Sequence, residues 1–499
     1  MARAIGSRVS LCMIVRNEAE NLADCVGPVK DLFDQIVIVD TGSTDNTREI
    51  AASLGAEVHE FPWVDDFSAA RNTSLQHATG DWIFWLDADD RIDATNRTRL
   101  AALFDSLRDE PKAYNFSCVL LNEHSADAPQ IVTHARLFRR DPRITWRRRV
   151  HEENLTPICE LKHEIVWTDV EITHVGYRDP VVRARKRKRD LNLLRLDYAV
   201  DPHEPVTLFY MGMCHYASGE LSTALVYLLR CHQLTKFRSP MVRKLYAMLV
   251  DILGGLNRRE DALALSAEGL ENFPDDPELL FARALHLSRA GDHGGAERCL
   301  LRMIRRPTGE KYYLFGVQSD LCTRKAAFQL GLTYCDQQRF AESERVFQEL
   351  LAQFPDYSQA WVGLGQVYLS QQRWRDTDYV AQQLRKCPGG DVMADILTAE
   401  NLSLRGNHVD AQPYVERAMT KAPRMIWPRI VYADILMRRN MPLEQCILAW
   451  QNLLQICPGH PYAQKQLAAI FEADQRRDIP VQTPLWSSIT TASGNRSEG

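Results

Sequence analysis

From about Pro205 onward the sequence repeats every 34 residues, and a period of that length leaves few architectures open. Ala262 and Ala296 are 34 positions apart, as are Gly331 and Gly365, while Pro355 and Pro423 stand two periods apart. Offsets recur within units as well. Gly331 is followed by Tyr334, Phe347 and Pro355, and the next unit supplies Trp361, Leu364, Gly365 and Tyr368. Small residues are needed where two helices of a hairpin cross closely, aromatics fill the adjacent holes, and proline ends the second helix. A unit of this kind buries its apolar face only against its neighbours, so residues 205–470 are expected to stack as a solenoid of roughly six or seven helical hairpins. Weaker units fall near Gly212 and Ala433, and Pro307–Thr323 breaks the period and reads as an insertion. An aperiodic helical bundle is the competing reading, and the matching offsets speak against it.

The first half has a different grammar. Val9–Val15, Ile36–Val39 and Trp82–Leu86 are short apolar runs that each end in a polar turn, and Asp45–Leu54 reads as a helix. Strands alternating with helices predict an α/β layer with a mainly parallel sheet, whose ligands bind beyond the carboxyl ends of the strands. The polar clusters after these runs should therefore converge on one crevice. The expected organisation is an α/β domain over 1–180, a basic helical linker over 181–204, the all-α solenoid over 205–470 and a disordered tail over 471–499.

Composition removes several function classes. Hydrophobic residues make up 45% and charged residues 25% of the 499, as in soluble globular proteins. A formal charge of -5 supplies no global basic field for nucleic acid or an anionic membrane. The beginning of the chain lacks the long apolar region of a secretory signal, and no stretch is long and apolar enough for a spanning helix. Twelve cysteines without a Cys-x-x-Cys pair read as reduced, mostly buried thiols, which points to the cytoplasm.

The turn Asp87-Ala88-Asp89-Asp90 follows an apolar strand directly. Two acids spaced by one residue can both face a divalent cation, and hard oxygen ligands suit Mg²⁺ or Mn²⁺, above all when substrate phosphates complete the shell. Two further clusters accompany it. Asp40 ends its strand and leads into Thr41-Gly42-Ser43-Thr44-Asp45, where Gly42 permits an unusual turn and Asp45 is expected to cap the helix that follows. Asn17 and Glu18 stand in another strand-to-helix turn.

The order of motifs, CMIVRNE, VDTGSTDNT, FSAARN and WLDADD, resembles family 2 glycosyltransferases with the nucleotide-sugar-binding GT-A fold. The likeness is close over Ser10–Arg91 and looser through Arg136-Leu137-Phe138-Arg139, Arg149-Val150-His151-Glu152 and His174-Val175-Gly176-Tyr177. With helical repeats behind it, the chain is similar to the bacterial subgroup that includes peptide and lipopolysaccharide-core glycosyltransferases. The resemblance implies that Val15, Asn17 and Glu18 line a nucleotide pocket, that Asp40 contacts the base or ribose, and that Arg71 sits by the donor. It further implies that Asp87 touches ribose or metal-bound phosphate, that Asp89 ligates the cation and that His174 is a further ligand. Glu152 is the expected base of an inverting transfer, with Glu153, Asp65, Asp66 and Asp90 as competitors. The donor would be a nucleoside-diphosphate sugar, by family preference a uridine one. The acceptor would be a peptide or protein recruited by the repeats, which also allow self-association.

The basic run Arg183, Arg185, Lys186, Arg187, Lys188, Arg189 reads either as a contact to diphosphate or an anionic acceptor or as a solvated helix face. Two rival functions stand beside the transferase. One is a scaffold that has lost catalysis and binds partners through its repeats. The other is a sugar nucleotidyltransferase, which would carry a glycine-rich loop where CMIVRNEAEN has no glycine. A processive synthase is set aside because Ser370 stands where its Gln-x-x-Arg-Trp signature needs glutamine.

Overall fold

The computed structural model describes residues 7–121, 128–176, 180–235, 241–305 and 315–474. Its strands are β1 (Val9–Val15), β2 (Gln35–Asp40), β3 (Glu57–Glu60), β4 (Trp82–Trp85), β5 (Asp90–Arg91), β6 (Lys112–Leu120), β7 (Gln130–Arg139), β8 (Glu164–His174) and β9 (Val317–Gln318). The helices among them are α1 (Leu22–Val26), α2 (Thr47–Ser53), α3 (Phe67–His77), α4 (Ala94–Ser106) and α5 (Leu155–Glu160). The strands form one sheet in the order β3-β2-β1-β4-β7-β6-β8-β5, with β9 on β7.

Residues buried on both faces explain the unbroken apolar runs. All of β4 and all but one residue of β1 are buried, as central parallel strands require. Strands β1, β2, β3 and β4 are mutually parallel where they pair, whereas β7 runs antiparallel to β4 and to β6. The sheet is thus mixed: the half built by the apolar runs read in the sequence is parallel as expected, and the other half combines antiparallel pairs with one parallel pair, β6 with β8. Strand order reverses around β1, because β2 follows it on one side and β4 takes the other. A crevice opens beyond the carboxyl ends of strands at such a point. One face of the sheet closes over Leu11, Met13, Phe84, Leu100, Phe104 and Phe116, each completely buried.

The chain divides into two compact units, residues 1–282 with 307–321 and residues 283–306 with 322–499. In the first, the expected linker is a single helix, α6 (Pro180–Val200), followed by the hairpins α7 (Pro205–Ala217) with α8 (Leu221–Leu234) and α9 (Met241–Gly255) with α10 (Arg259–Asn272). These elements pack into the same unit as the sheet, so the contact boundary falls well after the change of periodicity at 205. The segment that breaks the period supplies β9, whose Val317 and Gln318 pair with Ile131 and Gln130 of β7.

The second unit continues the helical pairs to a last helix, Pro461–Asp474, and the expected disordered tail lies largely outside the described residues. Among the described residues, seven hairpins precede that helix along the chain. Close crossing explains the periodic glycines: a Cβ on Gly331 would lie 2.6 Å from the ring of Phe347, and one on Gly365 would lie 2.6 Å from Leu397. Among the described residues no helix is long and apolar enough to cross a membrane, and all twelve cysteines are free.

Candidate functional site

The acidic turn after β4 is held by its own backbone and by β8. The Asp87 amide donates to Asp90 Oδ2 at 2.8 Å, and the Asp90 amide donates to the Asp87 carbonyl at 3.0 Å. Strand β5 pairs Asp90 with His174 at the end of β8. His174 Nδ1 then lies 3.0 Å from Asp90 Oδ1 and 3.4 Å from Asp89 Oδ1. Ligand atoms of Asp87, Asp89, Asp90 and His174 all fall within 4.8 Å of one another. Burial alone would lower the imidazole pKa, but its bond to Asp90 and the charges of Asp89, Asp90 and Asp87 outweigh that and raise it. Three carboxylates and an imidazole form a donor set that fits Mn²⁺ or Mg²⁺.

Two arginines balance the acids from beneath. Arg136, 2% exposed, places Nη1 2.8 Å from Asp90 Oδ2 and 3.8 Å from Asp87 Oδ2, with its guanidinium 3.7 Å over the Trp85 ring. Arg71, on α3, donates from Nη2 to Asp87 Oδ1 at 2.7 Å and from Nε to Glu152 Oε1 at 2.8 Å. Its guanidinium lies 4.7 Å from both the Trp85 and the Trp146 ring centroids. A planar guanidinium suits this setting because it stacks on indoles and reaches two carboxylates at once. Burial would raise the Asp87 pKa, yet Arg71, Arg136 and His174 hold it well below the usual carboxylate range. Lys186, from the basic run on α6, reaches the turn: its Nζ lies 3.3 Å from both Asp89 Oδ2 and the Gly176 carbonyl. One member of that run therefore touches the acidic centre, while Arg185, Arg187 and Lys188 are exposed.

The other expected residues gather at the ends of β1 and β2. Val15 pairs with Asp40 across these strands, and its side chain is buried in the core beneath the turn. Asp40, 1% exposed, accepts from the amides of Gly42 (3.0 Å) and Ser43 (2.9 Å) and from Arg48 Nε (3.1 Å). Burial would raise its pKa, but these donors lower it. The second oxygen, Oδ2, is buried without a partner. Asn17 adopts a left-handed φ of 56° and accepts from the Thr44 amide at 2.7 Å. Glu18 accepts from Asn21 at 2.8 Å, and burial together with the nearby Asp89 and Asp87 raises its pKa despite Asn21 and Lys186. Asp45 differs from expectation. The cap position of α2 belongs to Asn46, and Asp45 instead accepts from the Thr47 amide at 3.1 Å and the Ala19 amide at 3.3 Å, tying the two polar turns together.

The acids weighed against Glu152 have other engagements. Glu153 accepts from the Thr156 amide at 2.8 Å, Asp66 caps α3 through the Ala69 amide at 3.0 Å, and Asp65 accepts from Trp63 Nε1 at 2.8 Å. Asp90 is fully buried against Arg136 and His174. Of these five, Glu152 is the one bonded to Arg71, which also holds Asp87. Sequence reading missed the roles of Arg136, Trp85, Trp146 and Gly176. Trp85 and Arg136 stand inside quoted motifs and Trp146 in a loop, and only the pairing of β4 with β7 reveals what they do.

Residues 10–110 match the model of glycosyl transferase family 2, and residues 247–310 and 328–376 match tetratricopeptide repeats. A TPR repeat-containing protein of Synechococcus elongatus is 36% identical over 225 residues, which is 44% of this chain and 55% of the relative. The SPbeta prophage-derived glycosyltransferase SunS of Bacillus subtilis is 28% identical over 206 residues, covering 40% of this chain and 47% of that protein. The chain thus spans about half the length of these curated relatives. Among solved structures, a tetratricopeptide repeat protein from Parabacteroides merdae superposes with a TM-score of 0.46 at 15% identity, covering 54% of this chain and 98% of that one.

Proposed function

We propose that this chain, which carries a family 2 glycosyl transferase domain in its amino-terminal part and tetratricopeptide repeats behind it, is an inverting glycosyltransferase that takes its sugar from a nucleoside diphosphate. The observation that carries the reading is the joining of the Asp87, Asp89 and His174 centre to Glu152 through one buried arginine, at the carboxyl end of β4. The side chains of Asp87, Asp89 and His174 would hold a Mn²⁺ or Mg²⁺ ion, with Asp90 fixing the imidazole. Such an ion, when bound, neutralises the diphosphate as it departs.

The remaining work falls to the protein. Asp40, Asn17 and Glu18 border the place of the base and ribose, and the partnerless Asp40 oxygen is an acceptor ready for a ribose hydroxyl or a base N–H. Arg71 holds Glu152 and Asp87 in one plane of contacts, so the base and the donor site keep a fixed separation. Glu152 takes the proton from the acceptor as the acceptor atom bonds to the sugar's anomeric carbon. The bond from that carbon to the phosphate oxygen breaks, and its electron pair leaves with the nucleoside diphosphate. A uridine diphosphate donor, and a peptide or protein acceptor bound along the repeats, complete the proposal.

The test is product analysis with the full chain, Mn²⁺ and a panel of UDP-, GDP- and dTDP-sugars. Release of nucleoside diphosphate, abolished by Asp89→Ala in a folded variant, supports the transferase. Release of pyrophosphate from a sugar phosphate and a nucleoside triphosphate would replace it with a nucleotidyltransferase. Failure to bind any nucleotide would leave the scaffold reading.

A further inference from the structure

The loop that presents Glu152 is not held by the sheet alone. Residues 147–153 close on themselves by a two-way bridge, Arg147 N–H to the Glu153 carbonyl at 3.0 Å and Glu153 N–H to the Arg147 carbonyl at 3.2 Å. Between these anchors Arg148 and His151 adopt φ values of 82° and 53°, in the left-handed region that is uncommon for residues other than glycine, above all for a long side chain such as Arg148. On one side α3 supplies the support. The Phe67 amide donates to the Arg149 carbonyl at 2.8 Å, and Ser68 Oγ donates to the Arg148 carbonyl.

The other side is supplied by helices that the periodicity assigns to the linker and the first repeat. Arg149 pairs with Asp197 of α6 at 3.0 Å, and Arg148 reaches both oxygens of Glu204, the cap residue of α7, at 3.0 and 3.3 Å. His151, adjacent to Glu152, lays its ring flat on Tyr210 of α7, with centroids 3.8 Å apart and planes 5° from parallel. Its Nε2 is buried, and desolvation pushes the imidazole pKa down to about 4, so the stack is between neutral rings. Phe315, just before β9, packs edge-on to Phe209 at 5.1 Å and lies 6.4 Å from Tyr210.

We infer that the first helical hairpin is part of the catalytic apparatus, with Tyr210 a positioning residue that sets the place of Glu152 through His151. The inference rests on the reading of Glu152 as the base. A recruiting module would dock on the catalytic domain through surface away from the centre. Here the strained loop bearing the base is clamped by α6 and α7, and removing them would leave two left-handed residues with support from α3 alone. Tyr210 has the geometry of a flat support, since its ring plane matches that of the imidazole.

The experiment compares the full chain with Tyr210→Phe, Tyr210→Leu and Tyr210→Ala, using UDP-glucose and UDP-N-acetylglucosamine with Mn²⁺ as probes and UDP release as readout. Phenylalanine keeps the stack and should stay within about threefold of the parent, whereas leucine and alanine should lower kcat about tenfold to a hundredfold, with the donor KM within about twofold. In a Glu152→Gln background the same changes should add nothing, because the residue they position has gone. Amide exchange in residues 147–153 should quicken about tenfold in the leucine variant. An unchanged kcat in the leucine variant, or an equal further loss in the Glu152→Gln background, overturns the inference. If the parent neither binds UDP nor releases it from either probe, the uridine donor of the proposed function fails. The exchange measurement then still decides whether Tyr210 orders the loop.

Discussion

Replacing Gly176 by alanine should damage the metal-binding turn without changing a charge. A Cβ built on Gly176 would lie 1.8 Å from Asp89 Oδ2, 2.8 Å from Asp89 Cγ and 3.0 Å from His174 Nε2. Ordinary carbon–oxygen contact begins at roughly 3.3 Å, so Asp89 or the Gly176 backbone must retreat by about 1.5 Å. Asp89 has little room to swing. Its carboxylate already contacts His174 at 3.4 Å and Lys186 at 3.3 Å, and its carbonyl accepts the Val175 amide at 2.9 Å. A displacement of this size at a ligand oxygen exceeds the ~0.5 Å tolerance of a preorganised site, and about a hundredfold loss of turnover is expected. The cost to folding should be about 1–3 kcal/mol, as for a tight core insertion. The assay pairs thermal unfolding of Gly176→Ala with Mn²⁺ titration and with UDP release. Full activity and parental Mn²⁺ affinity in a folded variant would refute the steric argument and, with it, the role of Asp89.

Other perturbations separate structure from chemistry. Asp87→Asn leaves the buried guanidinia of Arg71 and Arg136 short of a counter-charge and should destabilise the fold by about 3 kcal/mol, while Asp89→Asn should cost under about 1 kcal/mol and still abolish turnover; chemical denaturation of both variants checks this. In the repeats, Phe347 is wedged between Gly331 and Gly363, so Gly331→Ala should cost about 1–3 kcal/mol in the same measurement without affecting UDP binding. Glu400 and Asp434 are carboxyls whose pKa burial raises to about 7 each, against donors from Trp427, Gln366 and Tyr462. Their folded pKa lies above the unfolded value, so their stabilising effect is complete below about pH 4 and is lost as pH rises through 7. Melting temperature should accordingly fall between pH 5 and pH 8, by the equivalent of at most about 3 kcal/mol per group, and Glu400→Gln should flatten that slope.

The parts of this molecule that could be read from sequence are those in which neighbouring residues do the work. The acids after β4, the glycine turn after Asp40 and the 34-residue spacing of Gly331 and Gly365 are local patterns, and each has its counterpart in the structure. Strands β6, β7 and β8 were not read, because partly buried strands interrupted by polar residues carry no continuous apolar run. Arg136 lies within a quoted motif, yet its place against Asp90 depends on β4 pairing with β7, a contact 46 residues away in sequence. Lys186 is one cation among six in a basic run, and only the course of α6 past Gly176 selects it. The insertion after the third hairpin was legible as a break in period but not as a strand, since β9 is two residues long and gains its partner from β7.

Calorimetric titration of UDP into the full chain, with Mn²⁺ and then with EDTA, addresses the donor site most directly. The account predicts binding in Mn²⁺ that vanishes with EDTA and in Asp89→Ala, because the acidic turn repels the diphosphate unless a cation lies between them. Equal binding in EDTA would contradict the metal-bridged site, and no binding of UDP, GDP or dTDP in either condition would contradict the nucleotide-sugar account as a whole.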